Sequence, residues 1–179
     1  HQPRVAEPGA AEISEAREAV AAATIELDGN RARLNGADTR LDFGGIGVGY
    51  GIDRALAVLS RRGIRRAFLD VSGDCAAIGA PPGAAGWSVG IADPRHPGGV
   101  MATVPLRDAA LATSANTVSV MRYERWVIRH VMSPATGWPA HALVQASVVA
   151  RSAVAADALS TAMLVAGHAA PGALRAFPV

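Results

Sequence analysis

The stretch Leu41-Asp42-Phe43-Gly44-Gly45-Ile46-Gly47-Val48-Gly49-Tyr50-Gly51-Ile52-Asp53 puts five glycines within eight residues. Glycine loses more backbone freedom on folding than any other residue, so this density points to positive φ angles or to close approach by another group. Downstream, Ile52, Ala55, Leu56 and Leu59 recur at helical spacing and Gly63 supplies a stop. The glycines therefore lead into a helix N-terminus, whose free N–H groups and dipole favour an anion. Standard nucleotide loops do not fit. No register of the run gives the dinucleotide fingerprint, and the chain has no lysine for a P-loop. Asp70, ending an apolar strand at 64–69, imitates a ribose-binding acid but lacks that fingerprint.

Outward from this run, the chain reads as α+β: a mainly antiparallel sheet with packed helices. Residues 1–11 are rich in proline, glycine and alanine and read as a tail or linker, and 12–179 as a single domain. An alanine-rich helix is expected over 13–23, a hairpin about Asp28-Gly29-Asn30, and a turn at Asn35-Gly36 before a strand at 40–43. Further strands are expected at 65–71, 87–91, 101–106 and 142–150, with loops at 79–86 and 92–99. A second hairpin is expected from 117–121 and 126–131, and a long helix over 153–166 between Ser152 as N-cap and Gly167 as stop.

Composition narrows the classes of function. With 179 residues, half of them hydrophobic, the chain can bury a full core. Its net charge of +2 is the balance of 17 basic residues, all arginine, and 15 acidic ones, and aromatic residues make up 4%, which argues against stacking on single-stranded nucleic acid. The cluster Arg61, Arg62, Arg65 and Arg66 brackets a helix end, where cations belong in any case. Cys75 stands alone, so there is neither an intrachain disulfide nor a cysteine-rich metal site. The longest apolar run, 153–166, is too short for a membrane span. No signal peptide opens the sequence, and a chain beginning at His1 is expected to be a processed or partial one.

Asp157 is the main anomaly. It sits in a helix apolar nearly all round, where a carboxylate must be paired or bound to a metal. Thr161, one turn later, adds a second oxygen, and such hard ligands suit Mg²⁺ or Ca²⁺ and not zinc. Spacing alone leaves a second reading open, an aspartate favoured by the helix dipole beside a threonine bonded to its own helix. His130, at the end of a strand and before a glycine-containing loop, is either a general base or an ordinary surface histidine. Ser72-Gly73-Asp74 reads as a tight turn and Thr113-Ser114-Ala115-Asn116 as a polar loop.

Taken in order, the segment 41–55, Ser72-Gly73-Asp74, Ala112-Thr113-Ser114-Ala115-Asn116, His130-Val131-Met132-Ser133-Pro134-Ala135-Thr136-Gly137 and Ala156-Asp157-Ala158-Leu159-Ser160-Thr161 resemble the ApbE family of FAD:protein FMN transferases over residues 12–167. The resemblance implies a T-fold-type domain that is partial relative to the full-length family, an N-terminal portion being contributed by a missing segment or a second chain. It implies a Mg²⁺-dependent enzyme that takes FAD as substrate, moves its FMN half to a Ser/Thr hydroxyl of an acceptor flavoprotein and releases AMP. Alternatives within the resemblance are an FAD hydrolase and a non-catalytic module that binds flavin nucleotide or a protein partner. By family pattern, Gly47, Asp157, Ser160 and Thr161 would hold the metal and His130 would be the catalytic base. Gly44, Gly45, Gly49, Asp53, Asp74, Thr113, Ser114, Thr136 and Gly137 would line the flavin nucleotide site. Val48, Ala115, Ser133 and Ala135 depart from the pattern, where lysine, glycine, aspartate and arginine are usual. The chain itself does not give a location; the resemblance suggests a bacterial periplasmic or membrane-associated exterior one, with the cytoplasm as the alternative.

Overall fold

A computed structural model of the chain describes residues 8–36, 38–116, 120–123 and 126–167. The expected tail at 1–11 and the expected strand start at 117–119 fall partly or wholly outside these residues. Three helices and ten strands follow one another as α1 (Ala10–Ala22), β1 (Ile25–Asp28), β2 (Arg31–Leu34), α2 (Gly47–Arg61), β3 (Ala67–Val71), β4 (Asp74–Ile78), β5 (Trp87–Ala92), β6 (Val100–Leu106), β7 (Ala109–Ala115), β8 (Val120–Tyr123), β9 (Trp126–Arg129), β10 (Gln145–Ala150) and α3 (Ala153–Ala166). Every strand pairing among the described residues is antiparallel, as the α+β reading requires.

The chain divides into two compact units. The first contains α1, the β1–β2 hairpin and Met132–Pro139. Its α1 opens with the Glu12 carboxylate accepting from the Gly9 N–H at 2.9 Å. Ser14 Oγ donates to Glu18 one turn on. Gly29 takes the positive φ of the hairpin turn, 54°. No strand forms at 40–43, in contrast to the sequence expectation, because those residues find no ladder partner.

The second unit spans Phe43–Val131 and the chain from Ala140 onward. Its four-stranded sheet runs β10-β7-β4-β3, with α2 and α3 on one face and the β5–β6 ribbon on the other. Alternation along the strands sorts the side chains. Ala76, Ala110, Ala112 and Ala150 meet Ile52, Ala153 and Ala156 of the helices, whereas Cys75, Ala77 and Leu111 meet Leu106 and the ribbon. Phe68 and Trp87 stack across this second seam with ring centroids 5.8 Å apart. Leu164 and Leu106 are fully buried, each contributing roughly 1.5–3 kcal/mol by removal from water.

Two central strands, β4 and β7, were not expected, and the segment read as a polar loop at 113–116 is largely the end of β7. The helix after the glycine run also begins earlier than its apolar spacing shows, at Gly47, so Gly47, Gly49 and Gly51 lie inside α2. At the other end, α3 has its expected limits: Ser152 Oγ accepts from Ala155 N–H, and Gly167 closes the helix at φ 62°. Among the described residues no helix is long and apolar enough to cross a membrane.

Candidate active site

None of the glycines of the run has a positive φ, and close approach constrains two of them, Gly49 and Gly45. A Cβ built on Gly49 would lie 2.4 Å from Ala153 O and 2.7 Å from Val154 Cα, inside the backbone of α3. A Cβ on Gly45 would lie 3.3 Å from Thr161 Oγ1. The glycines thus let the start of α2 lie directly on α3.

The anion at the N-terminus of α2 is Asp157. Gly49 N–H donates to Asp157 Oδ2 at 3.0 Å, and the residue is only 5% exposed. Asp157 Oδ1 takes no hydrogen bond among the described residues. Asp53, from the second turn of α2, takes the first amides of α3: Ala153 N–H donates to Oδ1 at 2.8 Å and Val154 N–H to Oδ2 at 3.0 Å. This engagement gives Asp53 a helix-capping position.

Beside Asp157, three hydroxyls gather. Ser114 Oγ, near the end of β7, is 2.8 Å from Ser160 Oγ and 3.0 Å from Thr161 Oγ1, and Ser160 Oγ donates to Asp157 O at 3.0 Å. Thr161 is therefore tied across to the sheet. Asp74, at the start of β4, accepts from Thr113 N–H at 3.1 Å. Burial pushes the Asp74 carboxyl above its ordinary value, the Thr113 amide opposes this, and the nearby Asp157 and Asp70 charges raise it further. On the ribbon side of the sheet, Thr113 Oγ1 pairs with Ser147 Oγ at 2.8 Å.

The structure thus brings Gly45, Gly49, Ser114, Asp157, Ser160 and Thr161 to one place, with Asp74 close enough to feel the Asp157 charge. Gly44 and Gly47 belong to the same turn, where Gly47 N–H donates to Phe43 O at 2.7 Å. His130 follows β9, is exposed, and takes no part in this hydrogen-bond network among the described residues. Thr136 and Gly137 belong to the first unit, in a turn where Gly137 N–H donates to Ser133 O and a Cβ on Gly137 would collide with Ile13. Asp70 completes a β-turn by accepting from Gly73 N–H at 3.0 Å. Sequence reasoning gave no role to Asn116, which is 2% exposed and donates to Ala140 O and Leu143 O, holding the loop before β10.

As a donor set, the cluster fits a hard divalent cation. It offers carboxylate and hydroxyl oxygens, no nitrogen and no sulfur, and no group of three or more acidic, histidine or cysteine residues exists among the described residues.

The profile of the ApbE family matches residues 1–176. The chain belongs to the ApbE family. A FAD:protein FMN transferase of Treponema pallidum is 35% identical over 163 residues, covering 82% of this chain and 43% of the relative. One from Rhodobacter capsulatus is 34% identical over 151 residues, covering 80% of this chain and 27% of its own length. Among solved structures, the ApbE protein of Thermotoga maritima superposes with a TM-score of 0.79 at 30% identity, over 91% of this chain and 53% of that one. The apo flavinyl transferase ApbE of Pseudomonas stutzeri gives 0.75 at 29% identity, over 94% and 52%. This ApbE-family chain therefore spans about half the length of these solved relatives and less than half of the curated ones.

Proposed function

We propose that this chain carries the metal-binding part of an FAD:protein FMN transferase, which splits the FAD pyrophosphate, passes the FMN half to a Ser/Thr hydroxyl of an acceptor flavoprotein and releases AMP. The observation that carries the proposal is the placement of a buried carboxylate, Asp157, with Thr161 and Ser114 against the glycine-rich start of α2. Asp157 and Thr161 would hold Mg²⁺ together with the Gly47 and Ser160 carbonyls. Bound there, the cation would neutralise charge developing on the phosphates. Gly44 and Gly45 would line the nucleotide site, with Asp74, Thr113 and Ser114 at the sheet end; Thr136 and Gly137, in the other unit, are assigned to it by the family pattern alone. His130, being exposed, is free to take the acceptor hydroxyl's proton.

The test is AMP release from FAD with and without Mg²⁺, using the chain alone and joined to the segment by which its relatives are longer. Asp157→Ala should lower release at least ~100-fold. Absence of Mg²⁺-dependent AMP from the joined protein rejects the enzyme reading. A second reading, a nucleotide-binding module with no turnover, is favoured by Val48, Ala115, Ser133 and Ala135 standing where the family pattern has other residues. It predicts Mg²⁺ and FAD binding by calorimetry with no AMP formed.

A further inference from the structure

The three hydroxyls beside Asp157 have one proton each, and taking Ser160 Oγ as donor to the Asp157 carbonyl sets an order for the other two. Ser160 Oγ lies 3.0 Å from the Asp157 backbone carbonyl, which can only accept, so the Ser160 proton points there. With that proton so placed, Ser160 Oγ offers lone pairs to its 2.8 Å contact with Ser114 Oγ, and Ser114 is the donor in this order. With its proton committed, Ser114 Oγ can only accept in its 3.0 Å contact with Thr161 Oγ1, so Thr161 donates. The order is Thr161 to Ser114 to Ser160 to the Asp157 carbonyl. A hydroxyl can ligate a cation only if its proton is turned away from the ion.

We infer that Ser114 is a positioning residue, which draws the Thr161 proton toward β7 and so leaves the Thr161 oxygen lone pairs for a divalent cation. Ser114 itself does not touch the ion. This rests on the metal site proposed above and extends it: the strand end at 114 sets the ligand quality of a residue 47 positions away. Partners of this kind, behind the ligand, typically alter metal affinity 10–100-fold when removed.

The experiment is a Mn²⁺ titration of the full chain followed by the free-ion electron paramagnetic resonance signal, with Mg²⁺ as competitor. Wild type, Ser114→Ala, Ser114→Thr, Thr161→Val and the double variant Ser114→Ala/Thr161→Val are compared, and melting is measured in chelator. Ser114→Ala should weaken Mn²⁺ binding by about 10-fold or more, and Ser114→Thr, which keeps the hydroxyl, should restore most of it. Adding Ser114→Ala to Thr161→Val should change nothing further, because Ser114 acts through Thr161. Equal binding by wild type and Ser114→Ala overturns the inference while leaving the metal site standing. An additive loss in the double variant also overturns it, since that is the mark of general structural damage. No Mn²⁺ binding by wild type removes the metal site itself.

Discussion

Asp53 and Asp157 are exchanged between two helices: Asp53 rises from α2 to hold the first amides of α3, and Asp157 rises from α3 to hold the Gly49 amide in the first turn of α2. Each helix thus supplies the anion that the other's N-terminus favours. The exchange fixes α2 against α3 at the point where the hydroxyl cluster sits. It also leaves Asp157 with two duties, one structural and one proposed for the cation.

These duties separate by experiment. Asp157→Asn keeps an oxygen for Gly49 and removes the charge, so melting should shift by no more than about 4 °C, a change of ~1 kcal/mol. Divalent-metal binding should fall at least ~10-fold, measured by calorimetry. A variant that melts far lower yet binds metal as before would assign Asp157 to the helix junction alone.

Gly49→Ala should destabilise the chain by about 2–4 kcal/mol, since the new Cβ would meet the Ala153 and Val154 backbone, which has no freedom to withdraw. Gly51→Ala, two residues on in the same helix, meets nothing within 4 Å and should stabilise by roughly 0.5–1 kcal/mol through helix propensity. Denaturant unfolding of both variants checks the contrast.

Asp53→Ala should cost about 1–2 kcal/mol by leaving the Ala153 and Val154 amides without their carboxylate. Asp53→Asn, which retains one acceptor, should cost less. Circular dichroism melts of the two variants decide this, and equal losses would place the effect in the charge and not in the hydrogen bonds.

Asp74 carries a pH signature. Its folded pKa lies above the unfolded value, so between the two the native state holds a proton that the unfolded state has lost. Stability from this group is present below the ordinary value of 3.8 and declines as pH rises through the raised one. Asp74→Asn should remove that decline and raise the neutral-pH melting temperature in chelator. Melting of both proteins from acid to neutral pH is the measurement.

Cys75 is 1% exposed, and burial pushes its thiol up to about 11. Labelling by a thiol reagent at pH 8 should therefore be slow in the native chain and should accelerate at least ~100-fold in denaturant. Fast native labelling would show that the ribbon opens from the sheet.

The sequence disclosed α3 well, because Ser152, Gly167 and an apolar run between them carry the helix ends in their own chemistry. Asp157 stood out there for the same reason. Strands β4 and β7 were not legible: Asp74-Cys75-Ala76-Ala77-Ile78 and Ala109-Ala110-Leu111-Ala112-Thr113-Ser114-Ala115 are covered on both faces, so apolar alternation disappears, and alanine has no preference for strands. The start of α2 was hidden because glycine carries no helical signal, and its reason for being glycine lies at Ala153, 104 residues away. Long-range pairings such as Asp53 with α3 and Ser114 with Thr161 exist only once the chain has folded. Family pattern groups those residues as one site, but their contacts are a property of the fold.

The alanines that line the helix-facing side of β4 and β7 set how closely α3 lies on the sheet. Thickness there works as a shim: a bulkier residue at Ala112, which offers no oxygen to the site, would lift the helix from the strand and part Ser114 from Thr161. Affinity for a cation could then drift through changes two residues along the same strand, with every oxygen donor still in the sequence.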